Sequence, residues 1–565
     1  MRRFLPILTW LPGYKAAWLR EDGVAAISVW ALLVPQGLAY ATLAGVPVQY
    51  GLYTAFAALI AYAVFGTARQ VVQGPSATVA AVSAAVITPL VGAGALGSDQ
   101  AAEWSAALAI VAGVSFVALG VLRMGWISNF LSKAVLGGFI LGFALGIVFQ
   151  QLAKLLGVDG GDGSYAEQLI QTLGELGKTN LTTLAVGAGS LALLLGMRYA
   201  RPRWPRALVV VILATAITAA LDLGAEGVAI TGDVPTGLFS IGVPSVGWEE
   251  LGTLAVGALS VIFVGYSETL AAARTVAAKH DYEIDSDQEL VAQGFANGAS
   301  GLVGGFVNDG SLSKSSVADT AGQRTQMAAL LNALLVLLTM LFLAALFENL
   351  PSAALGAVVI DAMVGLISFA AIRRYRRVNR FDFAFFCGAM LGILFFGVIT
   401  GIAIGVVLSL LLLIARASTP ALHRLGLHPP TGAYLDLARH DDLEPTPGIV
   451  IVRLDGPLFF ADANRFRDGL ERIAAGEAEP VRAVVFDAEA VSQTDTDGAD
   501  VLIELAQRYA DRGIEFALAR VQSAVLEMWT RAGVLEALGE GRVFHTVEDA
   551  AVTFGDATAG RQRQG

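Results

Sequence analysis

Charge is what this chain is shortest of. Only 15% of its 565 residues are charged and 55% are hydrophobic, with a mean hydropathy of +0.64. Soluble proteins carry about 25% charged residues, and disordered ones more. Such dilution excludes both classes and implies that most of the surface faces lipid. Cysteine is nearly absent: Cys387, inside an apolar run, stands alone, which excludes an internal disulfide and a zinc–thiolate cluster. The five histidines, at positions 280, 423, 428, 440 and 545, gather with no Cys or carboxylate at metal-ligand spacing, so no metal, no cofactor and no enzyme site is expected. The net charge of −11 leaves nothing basic enough for nucleic acid. There is no Walker A sequence. The spacing of Gly92, Gly94 and Gly97 follows an apolar run instead of a strand, without the context that dinucleotide binding requires.

The acidity is concentrated. From Pro420 onward 14 Arg face 24 Asp and Glu, a net of −10, whereas everything before carries −1. The chain is thus a lipid-facing body followed by a tail of soluble character. At the other end, Arg2-Arg3-Phe4-Leu5-Pro6 has the look of a twin-arginine signal, but Pro12-Gly13 and Lys15 interrupt it before any apolar stretch develops. Residues 1–20 are expected to be a retained cytoplasmic or interfacial segment.

Crossing about 30 Å of hydrocarbon takes about 20 apolar residues. Such runs fall near 23–43, 46–65, 70–92, 103–123, 126–149, 181–198, 205–222, 252–278, 287–307, 311–324, 326–348, 352–371, 381–398 and 399–417, a polytopic α-helical membrane protein of about 14 spans. With the N-terminus inside, inner loops receive Arg69, Arg123, the set Arg198, Arg201, Arg203 and Arg206, then Lys279, and the cluster Arg373 to Arg380; outer loops receive little beyond Lys154 and Lys178. The positive-inside bias therefore puts both termini in the cytoplasm of a bacterial-type inner (plasma) membrane. The expected divisions are a transmembrane domain over 21–419, with repeats near 21–223 and 251–419, a linker over 420–447, an α/β domain over 448–556 and a disordered tail over 557–565.

Each repeat would hold seven spans, and seven is odd, so the second must enter the membrane inverted. In both, the third segment is broken: Gln73-Gly74-Pro75-Ser76-Ala77-Thr78 in the first, Asn308-Asp309-Gly310-Ser311-Leu312-Ser313-Lys314 in the second. Paired interruptions at matching places point to a transporter's binding site. A helix that begins at mid-membrane presents unpaired N–H groups and the positive end of its dipole. Pro75 suits a first turn, and Ser76, Thr78, Ser311 and Ser313 add hydroxyl donors. Two such half-helices head to head would cradle one small anion. Lys314 either adds a charge there or snorkels to an interface. Gln36 and Tyr40, four apart, share a helical face and either line the same cavity or pack between helices. Glu268, mid-span in Gly265-Tyr266-Ser267-Glu268-Thr269, costs roughly 2.5–3.5 kcal/mol to insert, which makes it a candidate for a coupling proton or sodium, or for a salt bridge to Lys314. Asp361 is a weaker candidate of the same kind.

Pro35–Tyr40 (PQGLAY), Gly74-Pro75, Glu268, Glu289–Asn297 (ELVAQGFAN) and Ser311–Ser315 (SLSKS), followed by an acidic α/β tail, resemble the sulfate permease (SulP) anion transporters. The resemblance covers roughly Trp18 to Thr553. It implies a seven-plus-seven inverted repeat with two half-helices, usually dimeric, moving a small anion such as sulfate, bicarbonate or a dicarboxylate by alternating access. It places Gln36, Tyr40, Ser76, Ser313 and Lys314 at anion positions and Glu268 at the coupling carboxylate. Members commonly have Arg where this chain has Lys314, so charge is kept and the bidentate fork is lost. The candidate substrate-binding set is Gln36, Tyr40, Ser76, Ala77, Thr78, Ser311, Leu312, Ser313 and Lys314, with Glu268 and Thr269 for the coupling ion. The expected partners are a small anion, H+ or Na+, the lipid bilayer and a second copy of the chain. An uncoupled anion channel or an exchanger is the alternative, and a membrane anchor for the tail is a third class for which the spans are too many.

The tail alternates: strand 449–454, helix 463–474, strand 481–487, helix 499–511, strand 514–519, helix 524–532 and helix 547–554. It resembles the STAS domain, related to anti-sigma-factor antagonists. Where those have a phosphorylatable serine before glycine, this chain has Asp497 before Gly498. Thr496 is the neighbouring hydroxyl, and a folding, docking or dimer-contact module is expected.

Overall fold

The computed structural model of the protein describes all residues except 1–4, 93–95, 127–131, 162, 202–203, 233, 235–236, 248–249, 419 and 562–565. Arg2 to Phe4, the middle of the Gly92–Gly97 pattern, Arg203 and the last four residues of the expected tail lie outside the described residues. The chain forms two compact units, Met1–Ser409 and Leu410–Gly565.

Hydrocarbon offers a backbone no hydrogen-bond partners, so apolar runs satisfy their own N–H and C=O groups as helices. The first unit is built of α1 (Leu19–Ala44), α2 (Gln49–Phe65), α3 (Ala77–Val91), α4 (Asp99–Val121), α5 (Lys133–Leu156), α6 (Leu181–Ala200), α7 (Arg206–Ala220), α8 (Leu251–Lys279), α9 (Ser286–Leu302), α10 (Leu312–Thr320), α11 (Met327–Phe347), α12 (Ser352–Leu366), α13 (Arg380–Phe396) and α14 (Val398–Ala417, which runs on into the second unit). Seven of the described helices are long and apolar enough to cross a membrane. Two expected spans are much shorter as helices: the run 70–92 becomes helical only at Ala77, and the run 311–324 yields nine helical residues. Two short helices fall where loops or span ends were expected. Tyr165–Gly174 is opened by a reciprocal Ser164–Glu167 capping box. Phe369–Val378 carries Arg373, Arg374, Arg376 and Arg377 as a separate helix, where a span end and a loop were expected.

Two seams show how these helices approach closely. A methyl group on Gly51 would sit 2.0 Å from the carbonyl oxygen of Gly37, and one on Gly294 would sit 2.7 Å from that of Gly113. Backbones of α1 against α2, and α4 against α9, touch because these positions lack a Cβ. Asp361 on α12 pairs with Arg206 at 2.9 Å and Arg198 at 3.6 Å, so this buried carboxylate is neutralised by two arginines.

In the second unit one sheet runs in the order β4-β3-β5-β6-β7-β8: β3 (Ala421–His428), β4 (Ala433–Asp436), β5 (Ile449–Asp455), β6 (Ala483–Asp487), β7 (Glu515–Ala519) and β8 (Val543–Phe544). β5 to β8 are parallel, and β3 is antiparallel to β4 and β5. Both faces are covered, which is why β5 reads Ile-Val-Ile-Val without alternation. Helices α15 (Ala463–Ala475), α16 (Thr496–Asp511) and α17 (Ser523–Arg531) bring Phe466, Leu502 and Trp529 to one face; α18 (Val547–Arg561) brings Ala550, Ala551 and Phe554 to the other. The expected linker over 420–447 is therefore wrong as a boundary, because β3 and β4 are sheet strands closed by a turn at His428–Gly432. The helix α18 likewise continues through residues 557–561, expected to be disordered.

Candidate functional site

The two interrupted segments meet. Gln73–Gly74 (β1) and Asp309–Gly310 (β2) form an antiparallel ribbon, with Gln73 opposite Gly310 and Gly74 opposite Asp309. Ser311 N–H extends it by donating to the Val72 carbonyl at 3.1 Å. Because the strands are antiparallel and each leads directly into a helix, α3 and α10 leave in opposite directions with both N-termini at the ribbon. Each end contributes a partial positive charge of about +0.5 and unpaired N–H groups. Pro75 stands one residue ahead of the cap Ser76, outside the first turn where it was expected.

The caps differ. Ser311 accepts from Lys314 N–H at 3.5 Å and lies 3.1 Å from Ser313 Oγ. Ser76 is extended and makes no capping bond, and its buried Oγ has no partner among the described residues. Ala77 and Thr78 are buried beside it, whereas Leu312 and Ser313 are exposed. Gln36 and Tyr40 are buried on α1, at 8% and 5% exposure, and α1 packs against both α3 and α10. The structure thus gathers the two helix starts around one ribbon, with α1 alongside them.

Glu268 follows a π-helical stretch of α8, Ile262–Tyr266, a distortion often found at functional sites. Its Oε1 accepts the Thr78 hydroxyl at 2.8 Å, and the side chain is partly exposed. Lys314 is wholly buried. Its Nζ donates across the ribbon to the Pro75 carbonyl, tying one crossover to the other. It therefore does not snorkel. Thr269 spends its hydroxyl on structure: it donates towards Gly265 O at 2.8 Å and Gln293 Oε1 at 3.0 Å, and accepts from Gly310 N–H at 2.8 Å.

Behind the ribbon lies a buried amide network that the sequence reading did not identify. Gln73 Nε2 donates to Gln293 Oε1 and to Asn308 Oδ1, both at 2.8 Å. Gln293 Nε2 donates to Asn308 O at 2.7 Å, and Asn297 Nδ2 to the same oxygen at 3.0 Å. Glu289, wholly buried one turn earlier, accepts from Tyr62 Oη at 2.6 Å, Thr67 N–H at 2.7 Å and Thr67 Oγ1 at 2.5 Å, and so pins the loop leading into β1. Apart from Gln73 Oε1, every side-chain polar group in this set has a partner among the described residues, which favours one arrangement of the ribbon. The signal was the i, i+4, i+8 spacing of Glu289, Gln293 and Asn297 on one face of an apolar helix. Asp309, a second carboxylate beside Glu268, was also passed over in favour of the hydroxyls around it.

Residues 19–389 match the sulfate permease family and residues 442–550 the STAS domain. A probable sulfate transporter of Mycobacterium tuberculosis is 33% identical over 559 residues, covering 97% of this chain and 99% of that protein. High affinity sulfate transporter 2 of Stylosanthes hamata is 29% identical over 584 residues, covering 99% and 87%. Among solved structures, the murine Solute Carrier 26 family member A9 anion transporter in the inward-facing state superposes with a TM-score of 0.89 at 26% identity, covering 98% of this chain and 94% of that one. The transmembrane domain of a cyanobacterial bicarbonate transporter, at 22% identity and a TM-score of 0.61 over 69% of this chain and 97% of that one, shares the fold. On the profile match and the relative's identity together, this chain belongs to the sulfate permease family and carries a STAS domain towards its C-terminus.

Proposed function

We propose that the protein is a secondary active transporter of sulfate, coupled to protons at Glu268 and working by alternating access around the ribbon between α3 and α10. The observation that carries this is the convergence of two helix N-termini, one with an uncapped serine, on a partly exposed carboxyl. The helix ends supply donors and positive potential for an oxyanion; Glu268 supplies a charge that can be cancelled. A proton suits the place better than sodium, because the Lys314 ammonium beside the carboxyl repels a metal cation but does not prevent protonation. Sulfate is chosen over bicarbonate and dicarboxylates because the bacterial and plant relatives above are named for it.

The same reading places the protein in the inner (plasma) membrane as a homodimer with both termini in the cytoplasm. Purified protein in liposomes, given labelled sulfate with bicarbonate or dicarboxylate as competitors, tests the assignment. Sulfate uptake that responds to an imposed pH gradient supports it. Uptake that only exchanges against internal anion, or only dissipates the sulfate gradient, refutes coupling and favours an exchanger or a channel.

A further inference from the structure

The transport scheme above leaves one ionisable group of the site unused. Asp309 opens β2 opposite Gly74 and is wholly buried. Its carboxyl lies against that of Glu268, with Ser76 and Lys314 as its other polar neighbours. As a carboxylate it is poorly served: neither oxygen completes a hydrogen bond among the described residues, and Ser76 Oγ beside it is likewise unpartnered. The nearest cation, Lys314, donates to Pro75 O. The charged and titratable groups facing Asp309 are Glu268 from α8, Lys314 from α10 and, from α1, Tyr40, which is within electrostatic reach of both carboxyls. Gly310 and Thr269 adjoin it without charge. Asp361, also in reach of Tyr40, is already matched by Arg206 and Arg198.

Two ionised carboxylates in contact, one of them wholly buried, repel each other and offer one another only acceptor oxygens. One proton between them changes that contact into a strong O–H···O− bond. We propose that Asp309 and Glu268 each carry a proton whenever a dianion is bound and that both protons leave with it, the singly protonated pair being the state between the two. The inference rests on Glu268 being the coupling group.

The charge balance favours it. Lys314 supplies one positive charge and the two helix ends about another in sum. With a single proton on the pair, the remaining carboxylate offsets half of that, which suits a monoanion. With both carboxyls protonated the positive charge of the site equals that of sulfate with the sign reversed. No bond is made or broken apart from the two O–H bonds; both protons come from the side on which the anion enters and are released with it on the other.

Sulfate accumulation against a set pH gradient reads the number of protons directly. Each proton contributes about a tenfold accumulation per pH unit, so wild type should reach about 100-fold per unit and be insensitive to membrane potential. Asp309→Asn should fall to about tenfold and become potential-dependent, since one proton moving with sulfate carries net negative charge. An Asp309→Asn variant that keeps the wild-type proton ratio would overturn the role of Asp309 while leaving Glu268 coupled. Wild type that shows no pH-driven accumulation would overturn the coupling reading itself, and this inference with it. Infrared spectroscopy of wild type without and with sulfate covers the case of a variant that does not fold. A protonated-carboxyl carbonyl stretch that grows when sulfate is added at neutral pH is expected, and a stretch unchanged by sulfate would contradict proton binding by the pair.

Discussion

Gln293→Leu keeps nearly the volume of the side chain and removes its three hydrogen bonds, which makes it a clean probe of what the amide network does. The partners lost are Gln73 Nε2, Thr269 Oγ1 and Asn308 O. Each keeps a second partner: Gln73 still donates to Asn308 Oδ1, Thr269 to Gly265 O, and Asn308 O still accepts from Asn297. No buried group is stranded, so the cost is that of three neutral bonds, about 0.5–1.5 kcal/mol each and about 2–4 kcal/mol together. The ribbon then keeps the Asn297 tie to α9 and loses the Gln293 one, and the spacing of the two helix starts loosens. Losing one well-aimed charge-assisted bond to sulfate is worth about 1.5–3 kcal/mol, or roughly tenfold or more in affinity. Calorimetric titration of sulfate in nanodiscs, with thermal unfolding of the same sample, reads both quantities. The proton ratio should stay at the wild-type value, because no titratable group has changed. Gln73→Leu combined with Gln293→Leu should cost less than the sum of the two, since they share a bond. Wild-type affinity together with a wild-type melting temperature would show that the network does not hold the ribbon.

Lys314→Ala should weaken sulfate binding by roughly 100-fold or more, since a unit charge about 5–6 Å away at an effective dielectric near 20 is worth ~3 kcal/mol for each unit of charge on the anion. Lys314→Arg should retain binding with altered selectivity, as the charge persists and the donor geometry changes; equal sulfate affinity in wild type and Lys314→Ala, by the same titration, would place the ammonium outside the site. Truncation after Ser418 should leave a first unit that still binds sulfate, with turnover free to change. The cut belongs there because one near Pro430 would leave β3 attached without β5. Monodisperse truncated protein that binds no sulfate would show that the second unit shapes the site.

The helices were legible because length and hydropathy decide them. The paired breaks were legible because Gly, Pro and short hydroxyls at the start of an apolar run signal a helix N-terminus. In the second unit the alternation of strand and helix over 449–554 was likewise plain. The linker over 420–447 failed for a physical reason: β3 carries Leu422, Leu425 and Leu427 among His, Arg and Gly, and its pairing with β5 lies downstream. The Arg373–Arg377 helix failed because its amphipathic period is only ten residues long. Within the site, hydroxyls and Glu268 stood out singly. Asp309 did not, since what makes it notable is a neighbour 41 positions earlier. The Gln73–Gln293 bond spans 220 positions, and no local pattern announces it.

Uphill accumulation of labelled sulfate, in wild type and Glu268→Gln side by side, bears on the coupling most directly. The substitution removes the titratable charge and keeps the shape. Wild type in liposomes under an imposed pH gradient should concentrate sulfate above the outside level and lose the gradient when a protonophore is added. Glu268→Gln should lose the Glu268 proton and accumulate no more than about tenfold per pH unit, while still binding sulfate. Accumulation by Glu268→Gln equal to that of wild type would contradict the assignment of Glu268 as the residue through which protons drive the anion.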